Sequence, residues 1–530
     1  MSPIWLPGLL FLGGLLAWLG EGGDSRRAHA IALGALLVDV GVLGFAVSGS
    51  PELIAETRLP WIPRFGIGIH LYLDGLSLAL VALTLLLGVI AVLVSWREIE
   101  RRAGLFQLNL LWTLAGTLGV FLAADLFLFF FAWELMIVPM FFIIRHWGHE
   151  DRARAAFKFF LFTQIGGLFL WLAILALAFL NYRQTGTFSF DLDRLQALRV
   201  DFNVGMWLML GFSIGFLVKL PALPFHPWLP DAHTQAPTGG SVILAGVLLK
   251  TGAYGLLRFV LGLFPDQAEA AAPAFMALGA AGVLYGALQA FAQEDVKRLI
   301  AYSSVSHMGL VLLGAFAGNA GGYRGAVMTM LAHGLSAAAL FAVAGMLQSR
   351  LHTRELDRFG GLWDSAPRMG FCVLFFALAA LGLPGLGNFV GEFLALLGAF
   401  QSRPWISAVG ALGLILAPIY ALYLIQRSFH GPVRATVADL DRREAAFLGI
   451  MVIGLLWLGL NPDPVLDRAA VPENRIQIRA STAERSPAAR LKGVCSQQGR
   501  NRAPMDGFTA SRKASCRRPN PLGKLLLTQR

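Results

Sequence analysis

The sequence has few of the features that soluble redox enzymes carry: it is poor in cysteine, in charge and in nucleotide-binding loops. Its 530 residues include 3 cysteines and 14% charged residues, against 56% hydrophobic ones. Soluble domains average about 25% charged residues, so this composition excludes a soluble globular or disordered chain. No two cysteines form a CxxC pair, which excludes an iron–sulfur cluster or a zinc ribbon. No Gly-x-Gly-x-x-Gly follows a strand-like run, which argues against a dinucleotide-binding domain.

The formal net charge of +11 is concentrated at one end of the chain. Residues 471–530 contain 13 Lys+Arg and 3 Asp+Glu, whereas residues 1–470 carry a net charge of +1. The last sixty residues are rich in Ser, Arg, Pro and Gly and lack hydrophobic periodicity, which predicts a disordered tail. Because the remainder of the chain is nearly neutral, the high pI does not indicate nucleic-acid binding, and we expect no nucleic-acid partner.

Long apolar segments dominate residues 1–470. A bilayer core of about 30 Å needs roughly 20 apolar residues per helix. The sequence therefore predicts an all-α polytopic membrane protein with about 14 transmembrane helices. The predicted segments are 3–20, 29–49, 75–96, 105–124, 126–145, 157–180, 205–221, 238–260, 274–292, 296–318, 324–347, 370–400 (broken), 405–426 and 445–460.

The distribution of loop arginines and lysines supports this count. Loops after odd-numbered segments contain 19 basic residues and loops after even-numbered segments contain 8. Basic loops favour the cytoplasmic side of a membrane. The bias therefore predicts a multi-pass membrane protein with both termini on the outer side of the membrane.

Several ionisable residues fall inside the predicted segments. A charge at a helix centre costs about 2.5–3.5 kcal/mol on insertion scales, so such residues usually have a partner or a function. Carboxylates and lysines can exchange protons when their pairing changes, and histidines titrate near neutral pH. These properties favour proton movement. The candidate proton-transfer residues are Glu134, Lys219, Lys250, His307, His333 and Glu392.

Two of the predicted helices are broken. Prolines at intervals of three follow Lys219 in segment 7, and a Gly/Pro run precedes Glu392 in segment 12. Such interruptions are tolerated at membrane depth where they line a polar cavity. Two breaks five segments apart are typical of an inverted repeat, here segments 4–8 and 9–13. The predicted units are 1–104 (three N-terminal helices), 105–260 (first repeat), 261–427 (second repeat), 428–470 (last helix) and 471–530 (tail).

Other polar residues are weaker candidates. His226, Asp231 and His233 lie in a Pro-rich loop without a third ligand at a recognised spacing, so we expect no metal site there. Asp39 lies in the middle of segment 2, and the sequence offers it no partner. Asp125 is expected to begin segment 5, because an acid is favourable at a helix N-terminus.

The motifs around these residues resemble the antiporter-like membrane subunits of respiratory complex I. The resemblance covers roughly residues 70–460. It rests on Trp133-Glu134-Leu135, Lys219-Leu220-Pro221-x-x-Pro224-Phe225-His226-x-Trp228-Leu229-Pro230-Asp231-Ala232-His233, Ala236-Pro237-Thr238, Lys250-Thr251-Gly252-x-Tyr254-Gly255 and Gln293-Glu294-Asp295-x-Lys297-Arg298-x-x-Ala301-Tyr302-Ser303-Ser304-x-Ser306-His307.

Among the three paralogous types, the chain resembles the M type. Gly385-Leu386-Gly387-Asn388-Phe389-Val390-Gly391-Glu392-Phe393 has Glu where the other two types usually have Lys. The resemblance implies that Glu134 and Lys219 form the charge pair of one half-channel and that Lys250 is the central relay. It also implies that His307 and His333 are accessory relays and that Glu392 is the exit-side station.

The resemblance further implies a proton-translocating subunit of NADH:quinone oxidoreductase, driven by quinone reduction elsewhere in the complex. The expected partners are the L-, N- and K-type membrane subunits, the lipid bilayer and, through the complex, quinone. No cofactor, redox centre or metal is expected in this chain; FMN and iron–sulfur clusters are expected in partner subunits. Two alternatives remain open: a subunit of a multi-chain cation/proton antiporter or membrane-bound hydrogenase, and a scaffold subunit that does not pump.

Overall fold

Helices make up most of the chain. The structure is a computed structural model that describes residues 2–47 and 55–468. The predicted tail, 471–530, and the end of the second predicted segment lie outside the described residues. The helices up to the midpoint are α1 (Trp5–Leu19), α2 (Ser25–Ala46), α3 (Gly75–Glu98), α4 (Ala103–Leu122), α5 (Leu126–Trp147), α6 (Arg152–Thr185), α7 (Leu192–Gln196), α8 (Phe202–Lys219), α9 (Trp228–Gln235), α10 (Thr238–Ile243), α11 (Leu249–Gly255) and α12 (Leu261–Leu263).

The second part of the described chain is also helical. Two π-helical turns, Leu244–Leu248 and Leu256–Val260, join α10, α11 and α12 into one continuous span. Short 3-10 turns lie at Pro63–Phe65 and Leu356–Arg358. The remaining helices are α13 (Pro265–Phe291), α14 (Val296–Ala315), α15 (Ala320–Leu351), α16 (Leu362–Ser365), α17 (Pro367–Ala380), α18 (Gly387–Ser402), α19 (Pro404–Ala411), α20 (Gly413–Phe429), α21 (Arg442–Leu460) and α22 (Asp463–Arg468).

The fourteen predicted segments each correspond to a helix or to a group of consecutive helices, so the predicted helical membrane fold is confirmed. Within the described residues, 11 helices are long and apolar enough to cross a membrane. The other three segments are α1, α14 and the α17/α18 pair. They fall outside this set because their helices are short or carry more polar residues. Both predicted breaks are present, between α8 and α9 and between α17 and α18.

Aspartates define where many of these helices begin. Asp125 accepts hydrogen bonds from the backbone N–H groups of Phe127 and Leu128, at 2.9 and 3.0 Å, as expected for the residue that begins segment 5. Such caps satisfy backbone donors that a helix leaves free at its first turn. The aspartates that cap helices in this way are Asp24, Asp74, Asp125, Asp191, Asp201, Asp295 and Asp441.

A β-hairpin, which the sequence analysis did not predict, lies between α2 and α3. Strands β1 (Ala55–Ile62) and β2 (Ile67–Leu73) pair in an antiparallel register. His70 on β2 lies between two carboxylates, 2.7 Å from Asp191 Oδ2 and 3.0 Å from Glu56 Oε1. A hydrogen bond from Arg58 lowers the pKa of Glu56. The hairpin is therefore tied by ionic contacts to the loop before α7.

The two predicted repeats have similar neighbours. In the first, α4 packs on α5, α5 on α6, and α6 on the broken helix α8. In the second, α13 packs on α14, α14 on α15, and α15 on the second half of its broken helix, α18. This matching order of contacts supports an internal repeat.

Two fully buried spans form the centre of the helical bundle. The most apolar windows of Thr238–Leu263 and Ala320–Leu351 are 100% buried, whereas those of α2 and α21 are 33% buried. Apolar residues surround the central spans on all faces, as expected for helices inside a bundle. The spans that carry Lys250 and His333 are therefore shielded from lipid by other helices.

Candidate functional site

Lys219 is the last residue of α8 and lies in a buried aromatic pocket. Its side chain is 1% exposed, and its Nζ lies 5.5 Å from the ring centroid of Trp133 and 5.3 Å from that of Phe159. Nζ has no hydrogen-bond partner among the described residues. Aromatic faces attract a cation without accepting a directional hydrogen bond from it. The pocket can therefore hold the ammonium group without fixing its proton.

The helix break positions Lys219. The indole N–H of Trp228, the first residue of α9, donates to the carbonyl of Val218 at 2.9 Å. This bond satisfies one of the carbonyls that the end of α8 leaves free. The break therefore ends α8 at Lys219 and holds the start of α9 against its last turn.

Glu134 lies one residue along α5 from Trp133, which lines the lysine pocket. Its Oε2 accepts a hydrogen bond of 2.7 Å from Gln164 of α6, whereas its buried Oε1 has no partner among the described residues. A Cβ on Gly167 would lie 3.0 Å from Oε1, so the small residue leaves room for the carboxylate. Glu134 and Lys219 interact electrostatically but are not joined by a direct ion pair.

Lys219 also lies close to the helix of Lys250. A Cβ on Gly252 would lie 2.5 Å from the carbonyl oxygen of Phe216 and 3.1 Å from Cβ of Lys219. The glycine therefore allows α11 to approach the end of α8 closely. The two lysines consequently lie on helices that are in backbone contact.

Lys250 is fully buried on α11, between the two π-helical turns. Its Nζ donates to the carbonyl of Ala245, within the first π-helical turn, and lies 2.9 Å from Nδ1 of His333. π-Helical turns free backbone carbonyls from the regular pattern and are frequent at functional sites. Here the turn supplies an acceptor for a charge at the centre of the bundle.

Two histidines continue the contacts from Lys250. The rings of His333 on α15 and His307 on α14 are 5.2 Å apart between centroids. Nε2 of His333 is buried without a hydrogen-bond partner among the described residues. Because Nδ1 of His333 faces an ammonium donor, the neutral ring would carry its proton on the free Nε2. The proton of this ring would therefore not be held in a hydrogen bond to any described residue.

His307 connects this line to Glu392. Its Nδ1 lies 3.0 Å from Oε1 of Glu392, although the two atoms are not aligned for a hydrogen bond. On its other side, Nε2 lies 3.3 Å from the hydroxyl of Tyr420 on α20. Glu392 itself is 2% exposed. The histidine thus has a carboxylate on one nitrogen and a phenol on the other.

The second helix break packs on Glu392. Gly382 lies between α17 and α18 with φ +78°, and a Cβ there would lie 2.8 Å from Oε2 of Glu392. A positive φ favours glycine, because other side chains are strained in this region. Each of the two breaks therefore lies against one of the predicted ionisable residues.

The six predicted residues thus fall into two neighbouring groups. Lys250, His333, His307 and Glu392 form one line of contacts that runs from the last span of the first predicted repeat into the second. Glu134 and Lys219 lie together in the first repeat, and the close approach at Gly252 connects that pair to the line. The arrangement provides a series of buried groups that can bind and release protons.

The Pro-rich segment expected to be a loop is partly helical, because Asp231 and His233 lie on α9 and only His226 precedes that helix. Asp231 forms ion pairs with Lys158 at 2.6 Å and with Arg298 at 3.0 Å. The ring of His233 stacks on Phe341, with centroids 4.2 Å apart. Two cations neutralise the carboxylate of Asp231, and the stacked ring of His233 packs α9 against α15.

Sequence reasoning missed several polar neighbours of the site. The other residues were found because a charge inside an apolar segment is costly to insert into a membrane. Gln164 and Tyr420 are uncharged, so the sequence did not single them out. Lys297, at the start of predicted segment 10, was one of the 19 basic residues assigned to loops, but it is fully buried and donates to the carbonyl of Ala236 at 3.3 Å. Asp39, which the sequence analysis named and left without a partner, lies apart from these neighbours on α2; it is fully buried, and neither of its oxygens has a partner among the described residues.

Comparison with known proteins gives a consistent assignment. Residues 123–417 match a family described as NADH:quinone oxidoreductase/Mrp antiporter, transmembrane. The chain is 49% identical to NADH-quinone oxidoreductase subunit M of Pseudomonas aeruginosa, over 89% of this chain and 97% of that protein.

Two solved structures have the same fold. A chain of respiratory complex I from Thermus thermophilus with bound NADH aligns with a TM-score of 0.81 and 32% identity, over 88% of this chain and 98% of that one. A chain of the Mrp complex from Dietzia aligns with a TM-score of 0.78 over 88% of this chain and 51% of that chain. At 23% identity, the latter likeness concerns the fold alone. On this evidence, the chain belongs to the NADH-quinone oxidoreductase subunit M family of respiratory complex I membrane subunits.

Proposed function

We propose that this chain carries protons across the membrane as the M-type subunit of NADH:quinone oxidoreductase. Proton movement would be driven by quinone reduction elsewhere in the complex. The proposal rests on the series of buried contacts that runs from Lys250 through His333 and His307 to Glu392. A series of ionisable groups in the interior of a membrane protein costs free energy that a purely structural role does not require.

Each residue has a role in this proposal. Glu134 and Lys219 form the charge pair of the first half-channel, and Lys250 is the central relay. His333 and His307 pass the proton on to Glu392, which is the exit-side station. Lys219, whose Nζ has no hydrogen-bond partner in the part of the chain that the structure describes, is the group whose charge responds most directly to a change at Glu134.

The proposed setting follows the family. The neighbouring chains would be the L-, N- and K-type membrane subunits, and both termini would lie on the periplasmic side of a bacterial inner membrane. FMN and iron–sulfur clusters would be held by other subunits, so this chain would contribute no redox centre. The two repeats would comprise residues 105–260 and 261–427, flanked by 1–104 and 428–470.

A subunit of a cation/proton antiporter is the second candidate, because a chain of the Mrp complex shares the fold. The two functions predict different partners. Copurification with flavin- and cluster-bearing chains supports the oxidoreductase. Copurification with antiporter subunits that carry neither cofactor would support the alternative.

Lys219→Ala tests whether the subunit pumps or only fills the membrane arm. The measurement is NADH-driven acidification of inverted membrane vesicles, divided by NADH oxidation and normalised to assembled complex. Lys158→Ala is a matched control, because Lys158 is partly exposed in an ion pair outside the proposed path. We expect pumping to fall only in the Lys219 variant. Normal pumping in a normally assembled Lys219 variant would instead support a scaffold.

A further inference from the structure

A second group of polar residues lies on the same span as Lys250. Tyr254 follows Lys250 by four residues within α11, so the two side chains lie on one face of that helix. Arg258 lies in the next turn, which is the second π-helical turn. The span therefore leads from Lys250 past Tyr254 and Arg258 to the end of the bundle where α3 begins and α4 ends.

Arg258 is held on several sides at this end of the bundle. Its guanidinium forms an ion pair with Asp74, which caps α3, and its Nε donates to the hydroxyl of Tyr254 at 3.2 Å. The central carbon of the guanidinium lies 5.1 Å from the ring centroid of Tyr72 on β2 and 5.3 Å from that of Tyr254. The side chain of Arg258 is only 13% exposed. The guanidinium therefore lies between the central span, β2 and the start of α3.

The hydroxyl of Tyr254 connects this network to α4. It donates to the carbonyl of Phe121 at 3.0 Å, and the same carbonyl accepts a bond of 2.6 Å from the hydroxyl of Ser77. Within the described part of the chain, none of the buried side-chain atoms without a hydrogen-bond partner belongs to this network. His333 and Glu392 each have such an atom. The groups of the proposed proton path are thus free to change partners, whereas those around Arg258 are fixed.

The direction of the hydrogen bonds at Arg258 prevents onward transfer of a proton. A proton relay has to be both a donor and an acceptor, whereas a guanidinium has five donors and no acceptor and stays charged. The hydroxyl of Tyr254 accepts from this guanidinium and gives its own proton to Phe121. A proton that leaves Lys250 toward this end of the bundle therefore meets a hydroxyl with a committed proton and then a cation that accepts none.

We propose that Arg258 closes this end of the first repeat to protons, so that Lys250 releases its proton only toward His333. This inference rests on the proposed function, in which this end of the bundle faces the periplasm and Glu392 is the exit-side station. A charged arginine is a general barrier to protons and cations in membrane pores. Without this barrier, an outlet beside Lys250 would bypass Glu392 and dissipate the proton gradient that NADH oxidation builds.

The test replaces the barrier with a relay. Arg258→His introduces an imidazole, which both accepts and donates a proton near its usual pKa of about 6.5. The intact complex is reconstituted in liposomes with a potassium gradient and valinomycin, without NADH. Proton entry is followed with an enclosed pH-sensitive dye between about pH 5 and pH 8. We expect the leak to be at least about tenfold faster than in wild type, which corresponds to a barrier lower by about 1.4 kcal/mol.

Three variants separate the barrier from a structural effect. Arg258→Lys keeps a cation that only donates, so its leak should equal that of wild type. Arg64→His controls for an added histidine, because Arg64 is exposed at the turn of the hairpin. Asp74→Asn breaks the ion pair but keeps an acceptor for the cap of α3, so it should lower thermal stability without a leak. If Arg258→His does not assemble with Asp74 left unpaired, Asp74→Asn/Arg258→His takes its place.

The leak should pass through Lys250, so Lys250→Met/Arg258→His should be as tight as wild type. A wild-type leak in the assembled Arg258→His complex would overturn the proposal. So would a leak that persists in the double variant, or an equal leak in Asp74→Asn, since loosening of the network would then be its cause. Normal pumping in Lys250→Met would refute the proton path itself. A tight Arg258→His complex, together with lost pumping in Lys250→Met, would refute the barrier alone.

Discussion

Replacing Lys250 with methionine tests the central relay at little expected cost to folding. The buried ammonium donates to the carbonyl of Ala245 and lies 2.9 Å from Nδ1 of His333. Hydrogen bonds to a charged group contribute about 1.5–3 kcal/mol each, or about 3–6 kcal/mol for two. Burying the ion costs several kcal/mol, which methionine avoids. The two effects nearly cancel, so we expect the variant complex to assemble at close to the wild-type level.

Proton transfer should respond far more strongly than assembly to Lys250→Met. A thioether cannot bind and release a proton, and the position is fully buried, so water has no direct access. An increase of only about 1.4 kcal/mol in the barrier to proton transfer slows the rate about tenfold. We therefore expect at least a tenfold slower transfer through this subunit.

The assay for Lys250→Met is the ratio of protons pumped to NADH oxidised in inverted vesicles, with assembled complex quantified on a native gel. Lys158→Met controls for the loss of a lysine outside the path. A wild-type ratio in an assembled Lys250 variant would refute the reasoning, because the proton would then pass without the central amino group.

Two further substitutions test the exit side. Tyr420→Phe removes the hydroxyl that lies 3.3 Å from Nε2 of His307. Because one neutral hydrogen bond contributes about 1 kcal/mol, the pumping rate should change by up to about tenfold. The measurement is the initial rate of vesicle acidification. Gly382→Ala introduces strain of about 1–3 kcal/mol at a positive φ and places a methyl group against Glu392. Gly385→Ala is its control, with a similar φ and no atom within 4 Å of the added carbon. Both glycine variants should lose activity at a lower temperature than the wild type. Only Gly382→Ala should also reduce the ratio of protons pumped to NADH oxidised. Equal ratios in the two variants would contradict the argument that Gly382 packs on Glu392.

The helical segments and both breaks could be predicted because their signals are local. Runs of apolar residues mark spans, and the Pro and Gly runs beside Lys219 and Glu392 mark interruptions. The hairpin was missed because its strands are short and lie between two strong helical signals. The π-helical turns around Lys250 leave no trace in hydrophobic periodicity, since that span is apolar on all faces.

The candidate residues could be predicted because a charge inside an apolar segment is conspicuous. The contacts between these residues could not be predicted, because the sequence alone does not show which helices pack together. The 2.9 Å contact of Lys250 with His333 joins residues 83 positions apart. Lys297 was misjudged because it begins α14, where one turn separates a solvated loop from the interior. Asp39 is explained by neither approach.

The central claim is that the buried charges of this chain move protons during NADH oxidation. Glu134→Gln tests it most directly, because it removes the carboxylate that acts on Lys219 while keeping the hydrogen-bonding shape next to Gln164. The substitution removes the negative charge that attracts the Lys219 ammonium through space, without breaking a direct ion pair. The measurement is the ratio of protons pumped to NADH oxidised, in membranes where assembly is verified. The account predicts a reduced ratio in Glu134→Gln and a normal ratio in Glu269→Gln, which alters an exposed residue of α13. A normal ratio in fully assembled Glu134→Gln complex would contradict it.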